Sequence, residues 1–265
     1  MTFLCFERKG GEMAFIYETH LHTCEASRCG RAHGRDYIEY MKDQGYSGII
    51  VTDHFFNGNS AVPQDLPWQE RVEMYVSGYK AAASEAADKD FTVLFGIEYN
   101  FDGDEYLLYG VDEEWLLGNS DIMSLNRSGV YNRVHAAGGI MVQAHPYRER
   151  DYIKKIHLTP SVCDGIEVYN AANGDNMNAL AYQYAMKLGV PMSGGSDIHF
   201  FYDGPKGGMM FNHKIETIED YIHAFMNREG TPVALDGGRA VKVRKMEKLV
   251  NPEHEATLEI CMHEE

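Results

Sequence analysis

Short apolar runs alternate with amphipathic stretches along most of the chain. Residues 14–18 form the first strand-like run, and 36–44 follow with helical spacing through Tyr37, Ile38 and Met41, stopping at Gly45. Residues 48–52 read Gly-Ile-Ile-Val-Thr, a β-branched run with few polar groups, as in a strand buried on both faces. The alanine-rich stretch 69–89 predicts a long helix, 91–97 a strand, and 105–111 a strand that pairs beside it. Residues 124–137 are helical, with Gly138-Gly139 as the stop. Further strands are expected at 140–144, 165–169, 190–193 and 208–211, and helices at 176–188, closing at Gly189, and at 216–228. From Thr231 onward the pattern is mixed and adds strands. Residues 57–68, with Pro63 and Pro67, read as one long loop, and loops of that length in compact domains often serve function.

This alternation implies an α/β fold on a mostly parallel sheet, closed or open. A chain of 265 residues suits one domain. Residues 13–265 are taken as that domain and 1–12 as an N-terminal extension. The extension lacks the apolar core and cleavage site of a signal peptide. No apolar run reaches the roughly 18 residues of a membrane span, so no membrane partner is expected. The net charge of -16 argues against nucleic acid, whose binders neutralise phosphates with clustered Lys and Arg. It does not exclude a small anion, because bound divalent cations reverse the local field. Five cysteines without a CxxC pair fit a reducing cytoplasm, the expected location.

The chemistry lies in short motifs, most of them just after a strand. They are His20-Leu21-His22, Thr52-Asp53-His54, Gly96-Ile97-Glu98, Ala144-His145-Pro146 and Gly195-Ser196-Asp197-Ile198-His199. Ligands of parallel α/β folds bind at the carboxyl ends of strands. Residues i and i+2 of a strand share a face, so His20 and His22 can reach one metal, as can Asp197 and His199. Glu98 can bridge two cations. Imidazole with carboxylate suits zinc, manganese or iron better than magnesium or calcium. Cys24 and Cys29 lie near this site. Ser196 reads as a turn residue, and His135, inside a helical stretch, as structural.

From Ile16 to Phe211 the order and spacing of these motifs resemble the PHP (polymerase and histidinol phosphatase) family. The resemblance rests on His-x-His-Thr, Thr-Asp-His, Gly-Ile-Glu, Ala-His-Pro-Tyr and Gly-Ser-Asp-x-His. It implies a distorted (β/α)7, TIM-like barrel, a trinuclear metal site and, in many members, phosphoesterase activity. By resemblance, His20, His22, Glu98 and Asp197 would hold the first metal. Glu98 would bridge to a second, also bound by His145, and His54 with His199 would hold the third. Asp53 would orient an imidazole or a strand end from behind the ligands.

Two places depart from the family pattern. The acidic or imidazole ligand usual six to eight residues beyond the first histidine is replaced by Ala26, Ser27 and Arg28. Glu25 is the nearest substitute and His33 the alternative. The histidine often found after the glutamate is also missing, leaving Asp104 or Glu105 in its place, so two or three divalent ions are expected. Arg148, Arg28 and Arg31 are candidates for contact with a substrate phosphate.

The expected function is hydrolysis of a small phosphorylated substrate by metal-activated water, with no side chain as nucleophile. The alternatives are hydrolysis of a non-phosphate bond by the same cluster, or a noncatalytic metal-binding module. Specificity is expected in loops 55–68 and 200–207. No motif encodes the substrate or the oligomeric state.

Overall fold

A computed structural model describes residues 6–7, 13–151, 153, 155–236, 239–243 and 259–262. The strands are β1 (Phe6–Glu7), β2 (Met13–Leu21), β3 (Gly48–Val51), β4 (Thr92–Phe101), β5 (Asp104–Tyr109), β6 (Ile140–Gln143), β7 (Lys155–Leu158), β8 (Gly165–Asn170), β9 (Met192–Gly195), β10 (Lys206–Phe211), β11 (Thr231–Asp236), β12 (Arg239–Lys242) and β13 (Glu259–Met262). The helices are α1 (Tyr37–Asp43), α2 (Trp68–Tyr75), α3 (Ser77–Ala86), α4 (Glu113–Gly118), α5 (Arg127–Ala136), α6 (Asp175–Leu188) and α7 (Ile218–Met226). Of the extension 1–12, residues 6–7 pair with β2 and the rest lies outside the described residues. No helix among the described residues is long and apolar enough to cross a membrane.

One curled sheet has the strand order β12-β11-β10-β2-β3-β4-β5-β6-β8-β9, with β1 added on β2 and β7 paired separately with β13. The expectation of a mostly parallel sheet is corrected. β2, β3 and β4 run parallel, as do β6, β8 and β9. β5, however, is antiparallel to both β4 and β6, and β10 is antiparallel to β2 and β11. The cause at β4–β5 is local. Asp102-Gly103, both at positive φ (53° and 105°), make a two-residue hairpin turn, too short for a parallel crossover.

The single helix expected over 69–89 is divided at Val76, where the Ser77 hydroxyl donates to the Met74 carbonyl (2.6 Å) and competes with the helical ladder. α6 ends at Gly189 in the left-handed region (φ 70°), as its sequence predicts. The Thr217 hydroxyl and Asp220 carboxylate cap α7 reciprocally. This fixes a helix whose Tyr221, Ala224 and Phe225 pack with Tyr109 and Phe211.

The curl creates the site. β9 packs back against β10, β11 and β2. Glycine permits the approach: a Cβ on Gly207 would collide with the Gly195 carbonyl, and one on Gly195 would lie 2.6 Å from the His20 Cβ. Beyond β9, Ile198 forms an isolated parallel bridge with Leu21. The His22 amide donates to the Ile198 carbonyl (2.9 Å), and the Ile198 amide to that of His20 (3.2 Å). The result is a curled half-barrel of mixed strands. The regular βα repeat of a TIM-like barrel is interrupted at β5, β10 and β11.

Candidate metal centre

β2 carries a register shift between Glu18 and Leu21, at the first histidine motif. Such bulges re-aim side chains beside functional sites. His20 and His22 are completely buried, and with them converge Glu98 of β4, His54 after β3, His145 after β6, and Asp197 and His199 after β9. His145 and Asp197 both have positive φ (26° and 56°), a conformation rare outside glycine and concentrated at functional sites.

Glu98 is the hub. Its Oε1 lies 3.0 Å from His20 Nε2 and 3.1 Å from His145 Nε2, and its Oε2 lies 2.6 Å from His54 Nδ1 and 3.4 Å from His22 Nε2. Asp197 Oδ1 is 3.1 Å from His22 Nε2 and 3.5 Å from His20 Nε2. Yet His20 Nε2, His22 Nε2, His54 Nδ1, Glu98 Oε2 and Asp197 Oδ1 are buried without an aligned hydrogen-bond partner. Close but misaligned donors are expected when lone pairs aim at a common point rather than at one another. Donor atoms within 4.8 Å of one another form the groups His20–His22–Glu98, His20–His145–Asp197, His54–Glu98–Glu105 and His22–His54–His199.

Three of the imidazoles are fixed from behind through Nδ1. His20 Nδ1 is 2.9 Å from Glu167 Oε1, His22 Nδ1 is 3.2 Å from Ser27 Oγ, and His199 Nδ1 donates to the Asp197 carbonyl (2.8 Å). Each contact leaves Nε2 as the outward lone pair, the arrangement of metal-binding histidines. Asp53 contacts none of the cluster imidazoles through its carboxylate. It accepts from the Thr23 amide and hydroxyl (both 2.7 Å) and the Ser27 hydroxyl (2.6 Å), and Ser27 Oγ in turn accepts from the His54 amide (2.9 Å).

Burial would neutralise these groups, but their mutual charges outweigh it. Burial pushes Glu98 up, while His54, His20 and His22 hold it well below the usual carboxylate range. Burial likewise pushes Asp197 up, while Arg148 and His20 hold it well below. For His20, burial is outweighed by Glu167, Asp197 and Glu98, which raise it well above its ordinary value. His22 moves the other way, lowered by burial and by His199 and His54. The carboxylates are therefore held ionised, the form in which they can bind cations, and a cation bound there would take the place of the proton that they favour on His20.

Not every expected residue joins. Glu25 is engaged apart from the cluster, 3.1 Å from His33 and accepting from the Gly34 amide (3.2 Å). Its expected place as a ligand in the central set is corrected by the path of its loop. Of the two carboxylates considered after Glu98, Asp104 is taken by Arg127 (Nε 2.8 Å) and the Tyr106 hydroxyl (2.8 Å). Glu105, on the opposite face of β5, is 3.5 Å from His145 and 3.7 Å from His54. Arg148 is mostly buried and pairs closely with Asp197, its Nε donating to Asn173 Oδ1 (3.2 Å). Arg28 and Arg31 are exposed, and the Arg31 amide donates to the His199 carbonyl (2.7 Å). Ser196 is fastened to Gly207, accepting from its amide (2.8 Å), and His135 pairs with Asp164 (2.9 Å).

Two carboxylates the sequence reading passed over also belong here, together with Cys29, which it placed near the site. Glu167 holds His20 and accepts from the His145 amide (3.0 Å). Its Gly165-Ile166-Glu167 repeats the tripeptide of Glu98, which was a usable signal. Glu18, two residues before His20, accepts from the His20 amide (2.9 Å) and the Ser196 amide (2.8 Å), tying β2 to the end of β9. The Cys29 thiol lies against His199 and His54. Burial pushes it up, but hydrogen bonds to those imidazoles outweigh this and hold it down to about 6.

No protein-family model and no curated protein matches the sequence. Solved structures match it, among them two that share its fold. One is a two-domain protein from Bacteroides vulgatus ATCC 8482 containing a predicted PHP-like metal-dependent phosphoesterase, 15% identical with a TM-score of 0.64. The match covers 86% of this chain and 66% of the other, so the chain spans about two thirds of that protein. The second, from Bifidobacterium adolescentis ATCC 15703, is named as a candidate metal-dependent phosphoesterase. It is 16% identical with a TM-score of 0.50, over 69% of this chain and 87% of the other. At these identities the likeness establishes a shared fold.

Proposed function

We propose that the chain is a metal-dependent phosphoesterase of PHP type, built on a distorted barrel and acting on a small phosphorylated substrate in the cytoplasm. The observation that carries this is the set of buried, unaligned imidazole and carboxylate atoms converging on Glu98 and Asp197. His20, His22, His54, Glu98, His145, Asp197 and His199, with Glu105 for the missing histidine, would hold two or three ions of zinc, manganese or iron. Ions so held supply positive charge for the phosphoryl group and make water a nucleophile near neutral pH.

The chain's own residues do the rest. Glu167 and Ser27 fix imidazole orientation. The low-dielectric surroundings strengthen every charge in the site. The Arg148 guanidinium, braced by Asn173 beside Asp197, offers a planar fork to phosphoryl oxygens. Full-length protein supplied with manganese or zinc is expected to hydrolyse p-nitrophenyl phosphate and to lose that activity on chelation, with recovery on re-addition. A metal-replete chain inert towards a panel of phosphate esters would instead favour the noncatalytic module. Arg148→Met is expected to raise KM at least about tenfold with a smaller change in kcat. A fall in kcat at unchanged KM would mean that Arg148 serves Asp197 and not the substrate.

A further inference from the structure

A second group of metal-competent side chains lies outside the central cluster. Cys24 Sγ is 3.1 Å from His33 Nδ1 and 3.7 Å from Glu25 Oε2, and His33 Nδ1 is 3.1 Å from Glu25 Oε1. We propose that Cys24, Glu25 and His33 form a peripheral zinc site that fastens the neck of the loop between β2 and α1.

The distances suit the ion. Zinc bonds of about 2.3 Å to sulfur and about 2.0–2.2 Å to nitrogen and oxygen, set tetrahedrally, place the ligand atoms roughly 3.4–3.6 Å apart. The observed separations of 3.1–3.7 Å bracket that range, so a small outward movement of His33 accommodates the ion. The set also selects the metal, because thiolate with imidazole and one carboxylate favours zinc over magnesium, calcium or manganese. Three protein ligands leave one position for water. His33 is 55% exposed and Glu25 19%, so the ion enters from solvent without crossing the central cavity.

The neck is already organised. The Cys24 amide donates to the Ala32 carbonyl (2.9 Å), bringing the two ends of the loop together. Gly30 lies so near the Thr23 carbonyl that a Cβ there would collide with it. The Gly34 amide donates to Glu25 Oε2 and sets the carboxylate's direction.

The loop matters because of what else it carries. Ser27 holds His22 Nδ1 and the His54 amide, and the Arg31 amide holds the His199 carbonyl. An ion at the neck would stiffen the segment that orients three imidazoles of the central cluster without touching substrate. This site stands apart from the phosphoesterase reading, and either can fail alone.

Cobalt substitution tests it, since a cobalt–thiolate bond gives a charge-transfer band in the near ultraviolet that imidazole and carboxylate ligands do not. The full chain loaded with cobalt is expected to show the band. Cys24→Ser is expected to abolish it and to lower bound zinc by about one equivalent per chain, whereas Cys29→Ser retains both. His33→Ala, at an exposed side chain, is expected to shift the cobalt titration to higher concentration while circular dichroism stays unchanged. A wild-type spectrum without the band, a band that survives Cys24→Ser, or an unmoved titration in His33→Ala overturns the site. Loss of the band in Cys29→Ser alone would place the thiolate beside His54 and His199.

Discussion

Glu98→Gln is expected to lower the proposed phosphatase activity by at least about 10³-fold and to weaken the proposed metal binding while leaving the fold intact. Among the described residues, Glu98 is the one side chain that faces His20, His22, His54 and His145 at 2.6–3.4 Å. Glutamine keeps its volume, so no cavity opens. It removes the negative charge shared by every group around it, and its amide turns a hydrogen-bond donor towards positions that need an acceptor. His54 and His20 also lose the partner that helps hold them above their ordinary pKa. Elemental analysis and steady-state rates on the same preparation read both effects. Unchanged metal content with a rate within about threefold of wild type would remove Glu98 from the centre of the site.

Asp53→Ala is expected to have the largest effect on stability. The Asp53 carboxylate is almost wholly buried and accepts three hydrogen bonds, from the Thr23 amide, the Thr23 hydroxyl and the Ser27 hydroxyl. Truncation leaves those donors inside the protein without an acceptor. An orphaned buried group costs about 1–3 kcal/mol, so a loss on the order of 3 kcal/mol is expected, partly relieved by water entering the space. Ser27 also releases His22 and the His54 amide, which should weaken metal binding by about 10–100-fold. Urea unfolding of the chelated protein isolates the first effect and metal titration the second. A variant as stable as wild type that binds metal equally well would show that the Thr23–Ser27 segment is held by its backbone alone.

The central residues were legible because each ends an apolar run or lies within one, so a short motif marks both strand and ligand. The structure brings His20, His22, His54, Glu98, His145, Asp197 and His199 together as those motifs imply. Glu18 was harder to see, because a lone carboxylate inside an apolar strand carries no spacing that distinguishes a ligand's support from a surface charge, whereas Glu167 is marked by its repeat of the Gly-Ile-Glu of Glu98. Glu25 misled because sequence distance from His22 says nothing of where a loop turns, and this loop folds Glu25 back on His33. The mixed sheet was missed for a different reason. Asp102-Gly103 is a strong hairpin signal, but the βα alternation on either side outweighed it. β7 and α4 were missed outright, being too short for periodicity to declare them.

The tie from Glu18 to the Ser196 amide closes a span of 178 residues, and His20 reaches Glu167 across 147. Contacts of such range form late, because the chain must lose the entropy of closing a long loop before they can hold. A nascent or partly folded chain therefore presents His20 and His22 without most of their partners. Cations that bind only the finished arrangement act on the whole folding equilibrium, adding about 4 kcal/mol at a thousandfold excess over Kd. Metal supply would then govern how long each molecule survives as well as how fast it turns over.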